Sequence, residues 1–386
     1  MADGAALHVA HVCGTTLDSH YFANLGRGLA AGGLKVSGVS LIEPKAPHWL
    51  SEAGGDYLCL NARRKTQYPG AVLRLAKWLR AHQVDVVQTH LVDGGLVGIA
   101  AARLALTPLV VLTRHHTQEI EMVGTRLHGW VDRLLTAQAD RIVVLSHAVK
   151  THMVSREGAP AGKIDVIYQG FDFARLGATD EDRRRVRAEL GLDGSFVNGC
   201  VARFFRTKGH RYLLAAAREL TREIPNLKVL LLGGGDRSSI EAMIAEEQLG
   251  DHVIFGGYRG DVPACMRAMD VVVHPSLTEA FCQTVVEALA AGAPLVTTNV
   301  AAAPEVVTDG VHGLLVPPKD PAALAAAVLR LYRDGAAARR MADDGQRSVV
   351  ERFTLARMVA GQLDSYRRWF PAVALAGRRP TEVPRT

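Results

Sequence analysis

Short apolar runs rich in β-branched residues alternate with amphipathic stretches along the whole chain, and this restricts it to folds built from βαβ units. Leu7–Val12, Val36–Ile42, Val84–Gln88, Leu109–Thr113 and Arg141–Leu145 read as strands, with helices at Tyr21–Ala31 and Gly70–His82 between them. Strands so uniformly apolar are expected when helices cover both faces of a parallel sheet. The pattern then restarts. One more strand near Lys163–Tyr168 precedes a polar, Arg-rich stretch. Phe196–Ala202, Lys228–Leu232, Val253–Phe255, Val271–His274, Leu295–Thr298 and Gly313–Val316 form a second set. The sequence predicts two doubly wound, Rossmann-like α/β domains, residues 1–180 and 181–370, with the crossing within 172–195. A last helix is expected around Thr354–Phe370, and a Pro/Arg-rich tail, 371–386, is expected to be disordered. Open α/β sheets bind ligands beyond the carboxyl ends of their strands, so two such domains facing each other place a cleft there.

Composition narrows the function classes. A chain of 386 residues has room for two or three domains. It contains no 18-residue apolar run, so no transmembrane helix is expected. The start, MADGAALHVAHVCG, lacks the basic opening of a signal peptide. Five cysteines without a CxxC pair argue against a zinc site or a disulfide framework and fit a reducing cytoplasm. The net charge of +6 favours anionic partners. Its basic residues are not concentrated with aromatics, so nucleic acid is not an expected partner.

The strongest chemical signal is residues 276–298, SLTEAFCQTVVEALAAGAPLVTT. A strand ends at His274, a loop runs over Leu277–Cys282, and a helix begins near Gln283. Gly292 and Pro294 stop it. The helix start offers backbone N–H groups and a positive dipole end to a diphosphate. Glu279 before the helix and Glu287 within it can accept bonds from hydroxyls. Taken alone, they fit equally well an acid complementing the dipole and a solvated helix glutamate. In residues 201–221, Arg203 and Lys208 follow a strand and suit a diphosphate leaving group, or form a solvated basic loop. In residues 229–244, Gly233, Gly234 and Gly235 allow close backbone approach to a ligand, or make a tight turn. The GxGxxG of a dehydrogenase is absent. Tyr258 and Arg259 end the next strand, where a nucleobase can lie.

Together these segments resemble the retaining GT-B glycosyltransferases of family 4 (group 1). The matching text is R-F-x-x-x-K-G-H at 203–210, L-G-G-G-D at 232–236, H-P-S at 274–276, Glu279 and Glu287 seven residues apart, P-E-V-V at 304–307 and D-G-V-H-G-L-L-V-P-P at 309–318. The first half adds ADRIVVLSHAVKTHM at 139–153 and IDVIYQGFD at 164–172. The resemblance implies two Rossmann-like domains facing across a cleft, the first for the acceptor and the second for a nucleotide sugar. It implies that Arg203 and Lys208 contact the donor diphosphate and that Glu287 holds the ribose. Glu279, with the backbone N–H groups of Phe281, Cys282, Gln283 and Thr284, is to hold the donor sugar and the β-phosphate. Gly14 falls in the N-terminal loop near the phosphates. The T-x-H at Thr113 to His115 matches the active-site histidine, with His116 beside it and His90 ending the preceding strand. The usual E-G-F-G is here Glu279-Ala280-Phe281-Cys282, so Ala280 is expected to narrow or restrict that turn. The usual Gly-Gly before P-E is Ala302-Ala303, and the usual Asn before Gly170 is Gln169.

The implied reaction is front-face transfer to an acceptor hydroxyl, with catalysis by positioning and by stabilising charge on the leaving diphosphate. No DxD signature stands at a strand end, so neither a metal nor a cofactor beyond the nucleotide-sugar co-substrate is expected. Alternatives are a nucleotide-sugar epimerase or hydrolase on the same fold, and a non-catalytic nucleotide-sugar binding protein. Acceptor loops are expected around Thr15–Asn24, His48–Tyr57, His90–Gly95 and Arg114–Thr125, for a lipid-linked sugar or a small natural product. Arg74, Lys77, Trp78 and Arg80 on one helix, and Arg367, Arg368, Trp369 and Phe370 on another, fit either weak peripheral membrane contact or ordinary helix faces.

Overall fold

The computed structural model describes residues 6–117 and 125–377. The expected acceptor segment Arg114–Thr125 therefore lies partly outside the described residues. The chain divides into two compact units, residues 1–171 with 353–386, and residues 172–352.

The first unit is a parallel sheet of β1 (His8–Cys13), β2 (Lys35–Ser40), β3 (Tyr57–Cys59), β4 (Val86–His90), β5 (Leu109–Arg114), β6 (Arg141–Val144) and β7 (Ile164–Val166), in the order β3-β2-β1-β4-β5-β6-β7. Register pairs such as Val9 with Val36 and Val86 set apolar side chains level across the central strands. The core combines Val9, Val86, Val111 and Val143 with Leu25 and Leu29 of the helix His20–Ala31.

The second unit repeats the plan with β8 (Phe196–Val201), β9 (Leu227–Leu232), β10 (Val253–Gly257), β11 (Val271–His274), β12 (Leu295–Thr298) and β13 (Leu314–Val316). Their order is β10-β9-β8-β11-β12-β13, and all pairs are parallel. Val229, Leu231, Val271, Val273 and Val296 form the centre of its core.

Both the division and the tail differ from expectation. The expected second domain, 181–370, loses its last helix, Leu355–Gly377, which packs on the first unit. Met358, Tyr366 and Trp369 enter the first core. The small residues of the opposing helix explain the fit. A Cβ on Gly28 would stand 2.2 Å from Val359, and one on Gly32 would stand 2.8 Å from Leu363. Ser365 Oγ donates to Asp165 at 2.6 Å, and the Tyr366 hydroxyl bonds Gln88. The crossing comes at 171/172 rather than 180/181, because the helix Asp180–Glu189 packs within the second unit against Val262–Ala268. Residues 371–377, expected in a disordered tail, continue the last helix, and 378–386 lie outside the described residues.

Candidate functional site

In the second sheet the chain winds outward from β8 to β10, then returns to place β11 on the other side of β8. That reversal is the topological switch point, where the loops after the two central strands part and leave a crevice. The loop after β8 carries Arg203 and Lys208, and the loop after β11 carries Ser276 and Glu279. A backbone bond from Leu277 N–H to the Thr207 carbonyl, 2.7 Å, ties the two loops together. Gly209, at φ +71°, makes this approach possible. A Cβ there would lie 1.9 Å from the Pro275 carbonyl oxygen.

Glu279 is the hub. Its Oε1 accepts from Lys208 Nζ at 2.5 Å and from Ser276 Oγ at 2.8 Å, and stands 3.2 Å from His274 Nε2. His274 is fixed in turn by Thr297 Oγ1, 3.1 Å from its Nδ1. Burial works against the charge on Glu279, but the His274 and Lys208 contacts outweigh it and bring its pKa down to about 2. Glu287, on the helix Gln283–Ala290, has the opposite environment. Burial raises its pKa, and its carboxylate has no hydrogen-bond or ion-pair partner among the described residues. Arg203 is exposed and likewise unpaired among the described residues.

The helix start is strained. Cys282, its N-cap, sits at φ +63°, in the left-handed region. The restriction expected at Ala280 therefore falls two residues later, since Ala280 keeps a negative φ. Likewise Ala302 and Ala303 take ordinary conformations, while Ala301 carries φ +46°. The Cys282 thiol is buried, which raises its pKa well above the ordinary value and disfavours the thiolate. Phe281 is buried beside it, while Gln283 is exposed and Thr284 partly so.

The glycine loop presses against the Arg203 loop. Phe204 N–H donates to the Gly234 carbonyl at 2.7 Å, and a Cβ on Gly233 would meet the Ala202 oxygen at 2.1 Å. Gly234 itself faces open space. Tyr258 is 93% exposed at the end of β10. Arg259 is held by Asp261 (Nε to Oδ1, 2.8 Å) and by Glu189, so its guanidinium serves a structural ion network.

The first sheet has its own switch point between β1 and β4. A Cβ on Gly14 would come within 3.0 Å of Asp93 and Gly94, so this glycine lets the β1 loop lie on the first turn of Leu91–Ala105. Leu91, like Cys282, opens a helix at positive φ, +62°. Three histidines line up here. His11 Nδ1 lies 3.0 Å from His90 Nε2, and His90 Nδ1 lies 2.9 Å from His115 Nε2. Tyr21 and Phe22 pack edge-on against them. Thr113 of the T-x-H accepts from Gln88 Nε2 at 2.7 Å and so supports β4. His116 points elsewhere, 2.7 Å from Asp132, which also pairs with buried Arg114. Among the described residues no group of three His, Cys, Asp or Glu is placed to hold a metal ion, and no helix is long and apolar enough to cross a membrane.

Residues 182–348 match the family model for glycosyl transferases group 1, and residues 19–175 match the model for glycosyltransferase family 4. The chain is 31% identical over 283 residues to 2-deoxystreptamine glucosyltransferase of Streptomyces kanamyceticus, covering 69% of this chain and 73% of that one. The chain belongs to glycosyltransferase family 4, group 1. Its fold is GT-B. Sucrose-phosphate synthase from Thermosynechococcus elongatus superposes with a TM-score of 0.82 at 25% identity, over 95% of this chain and 100% of that one. The Anabaena protein HepE, in complex with UDP and glucose, superposes with a TM-score of 0.81 at 21% identity, over 94% and 100%.

In this glycosyltransferase the structure joins Lys208 and Glu279 directly and sets Arg203 and Gly234 on loops packed together. It separates His115 from His116 by their partners, and it withdraws Arg259 into an ion network. Sequence reasoning missed three members. Ser276 and His274 as ligands of Glu279 were available from the H-P-S text, and His11 had no signal beyond being a histidine in a buried strand. The membrane reading of the last helix does not survive for Trp369, which is 5% exposed in the first core. Arg74 and Arg80 both donate to backbone carbonyls.

Proposed function

We propose that this glycosyltransferase is a retaining, hexosyltransferase-type enzyme that moves a sugar from a nucleoside-diphosphate donor to an acceptor hydroxyl by front-face transfer. The observation that carries this reading is the pairing of Lys208 with Glu279 at the switch point of the second sheet, with the Arg203 guanidinium on the same loop unpaired among the described residues. The two cations and the N-terminal turn of Gln283–Ala290 take the diphosphate and stabilise the charge that grows on it as the glycosidic bond breaks. Glu279, kept ionised by its partners, accepts from sugar hydroxyls. Glu287, whose carboxylate has no partner among the described residues, takes the ribose hydroxyls. Tyr258 offers its exposed ring to the base. The acceptor hydroxyl gives its proton to the departing phosphate oxygen, so no protein base and no metal is assigned a step. His115 hydrogen-bonds a hydroxyl of the transferred sugar.

HepE is seen with UDP and glucose, which supports a nucleotide-sugar donor here. The named relatives also support a hydroxyl-bearing small molecule or sugar as acceptor. A cytoplasmic site of action fits an enzyme drawing on nucleotide sugars.

The test is a panel of UDP-, GDP-, ADP- and TDP-sugars offered to the purified protein without acceptor. One donor should raise the melting temperature and be slowly hydrolysed, and Arg203→Ala or Glu287→Ala should abolish both effects. A folded protein that ignores every donor would overturn the proposal in favour of a non-catalytic role.

A further inference from the structure

The three histidines of the first unit come from three neighbouring strands, and nothing in the transfer reaction as outlined needs more than the last of them. His11 lies within β1, His90 ends β4, and His115 follows β5. His11 and His90 are buried, and His115 is partly exposed. Each of the two links joins an Nδ1 to an Nε2, so each holds one proton and the chain has a direction.

The far end decides that direction. His11 Nε2 is buried without a hydrogen-bond partner among the described residues. If the protons ran from His115 inward, His11 would carry an N–H there with nothing to receive it. Orphaned buried N–H donors are the rarer and costlier defect, whereas an unused acceptor nitrogen is tolerated more readily. The protons therefore run outward. His11 Nδ1–H donates to His90 Nε2, and His90 Nδ1–H donates to His115 Nε2. The one proton left on His115 is then at Nδ1, on the ring nitrogen the chain does not use. An additional proton on the chain is disfavoured by burial, which lowers the pKa of His11 and of His115 to about 4 and of His90 further.

We infer that His11 and His90 are positioning residues that fix His115 as its Nδ1–H tautomer, so that His115 meets the transferred sugar as a neutral hydrogen-bond donor and not as a base. The inference rests on the placement of His115 at the sugar in the function proposed above. The tautomer itself follows from the protein alone. No proton relay is assigned, because His11 Nε2 at the inner end meets no hydrogen-bond partner among the described residues.

The decisive measurement is nitrogen NMR of the histidine-labelled full chain at pH 7, with the His115 resonances assigned by their loss in His115→Gln. The expected pattern is a protonated Nδ1 and a bare Nε2. A protonated Nε2 in the wild-type protein overturns the inference, and this readout needs no variant that folds poorly and no active donor. In His90→Leu the His115 signals should shift toward the other tautomer. That variant should lose about tenfold in kcat with KM for the donor little changed, and His90→Asn, which keeps a donor near the former Nδ1, should recover most of the loss. Equal activity of His90→Leu and wild type would overturn the positioning role. If no donor is turned over at all, the proposed function fails while the NMR result still decides the tautomer.

Discussion

Lys208 Nζ stands 2.5 Å from Glu279 Oε1, joining the two loops that diverge at the switch point of the second sheet. The pair is mostly buried, so removing either partner strands the other. Glu279→Gln and Lys208→Met should each destabilise the protein at pH 7 by about 3 kcal/mol, and the double variant by less than the sum. The sign with pH follows from a carboxyl held at about 2 against an ordinary 4.5. Its contribution is complete above pH 4.5 and is lost as pH falls through 2. Urea unfolding of the four proteins provides the cycle, and strict additivity would mean that the pair contributes nothing.

Glu287 should respond in the opposite sense. Its pKa is raised by burial, with no partner among the described residues to offset it, so its contribution is present below pH 4.5 and is lost as pH rises through the raised value. Glu287→Gln should therefore raise the melting temperature at pH 7 and leave it unchanged at pH 4. The same variant should weaken donor binding about tenfold, because the carboxylate is kept for a ligand. A drop in melting temperature at pH 7 would show that the carboxylate has a structural partner after all.

The histidine chain makes the first unit sensitive to acid. His11, His90 and His115 are all held below the ordinary value of 6.5 by burial. Their stabilising contribution is complete above pH 6.5 and is lost as pH falls toward 4, at up to about 1.4 kcal/mol per pH unit for each histidine. Unfolding free energies at pH 7.5, 6 and 5 should fall steeply, and His11→Phe should flatten the slope. A slope that is flat in the wild type would show that these rings take up protons in the fold as readily as in the unfolded chain.

Most of the fold was legible because the central strands are covered on both faces and read as unbroken apolar runs. The edge strand Tyr57–Cys59 was not, since it has three residues, none fully buried. The periodicity of Leu355–Gly377 shows which face is apolar but not which domain it meets. Its partner was hidden in Gly28 and Gly32, whose value is the space they leave. Glu279, Glu287 and Lys208 were legible because motif spacing is local to two loops and the helix Gln283–Ala290 that follows one of them. His11, His90 and His115 lie 79 and 25 residues apart, and only the strand order brings them into line.

Gly209 offers the sharpest test of how the second-sheet loops are held. It lies at φ +71°, and a methyl group there would sit 1.9 Å from the Pro275 carbonyl oxygen. Neither defect can relax cheaply, because Leu277 N–H fastens the same loop to Thr207 and Lys208 is drawn to Glu279 next door. Gly209→Ala should therefore cost about 2 kcal/mol or more in stability. It should also push the two loops apart by a fraction of an ångström to an ångström, lowering kcat/KM by about a hundredfold. Donor KM and kcat measured beside a thermal melt separate the two effects. A variant that melts like wild type and turns over donor at the wild-type rate would mean that the loops can part without harm, and that Lys208 does not depend on Glu279 for its place.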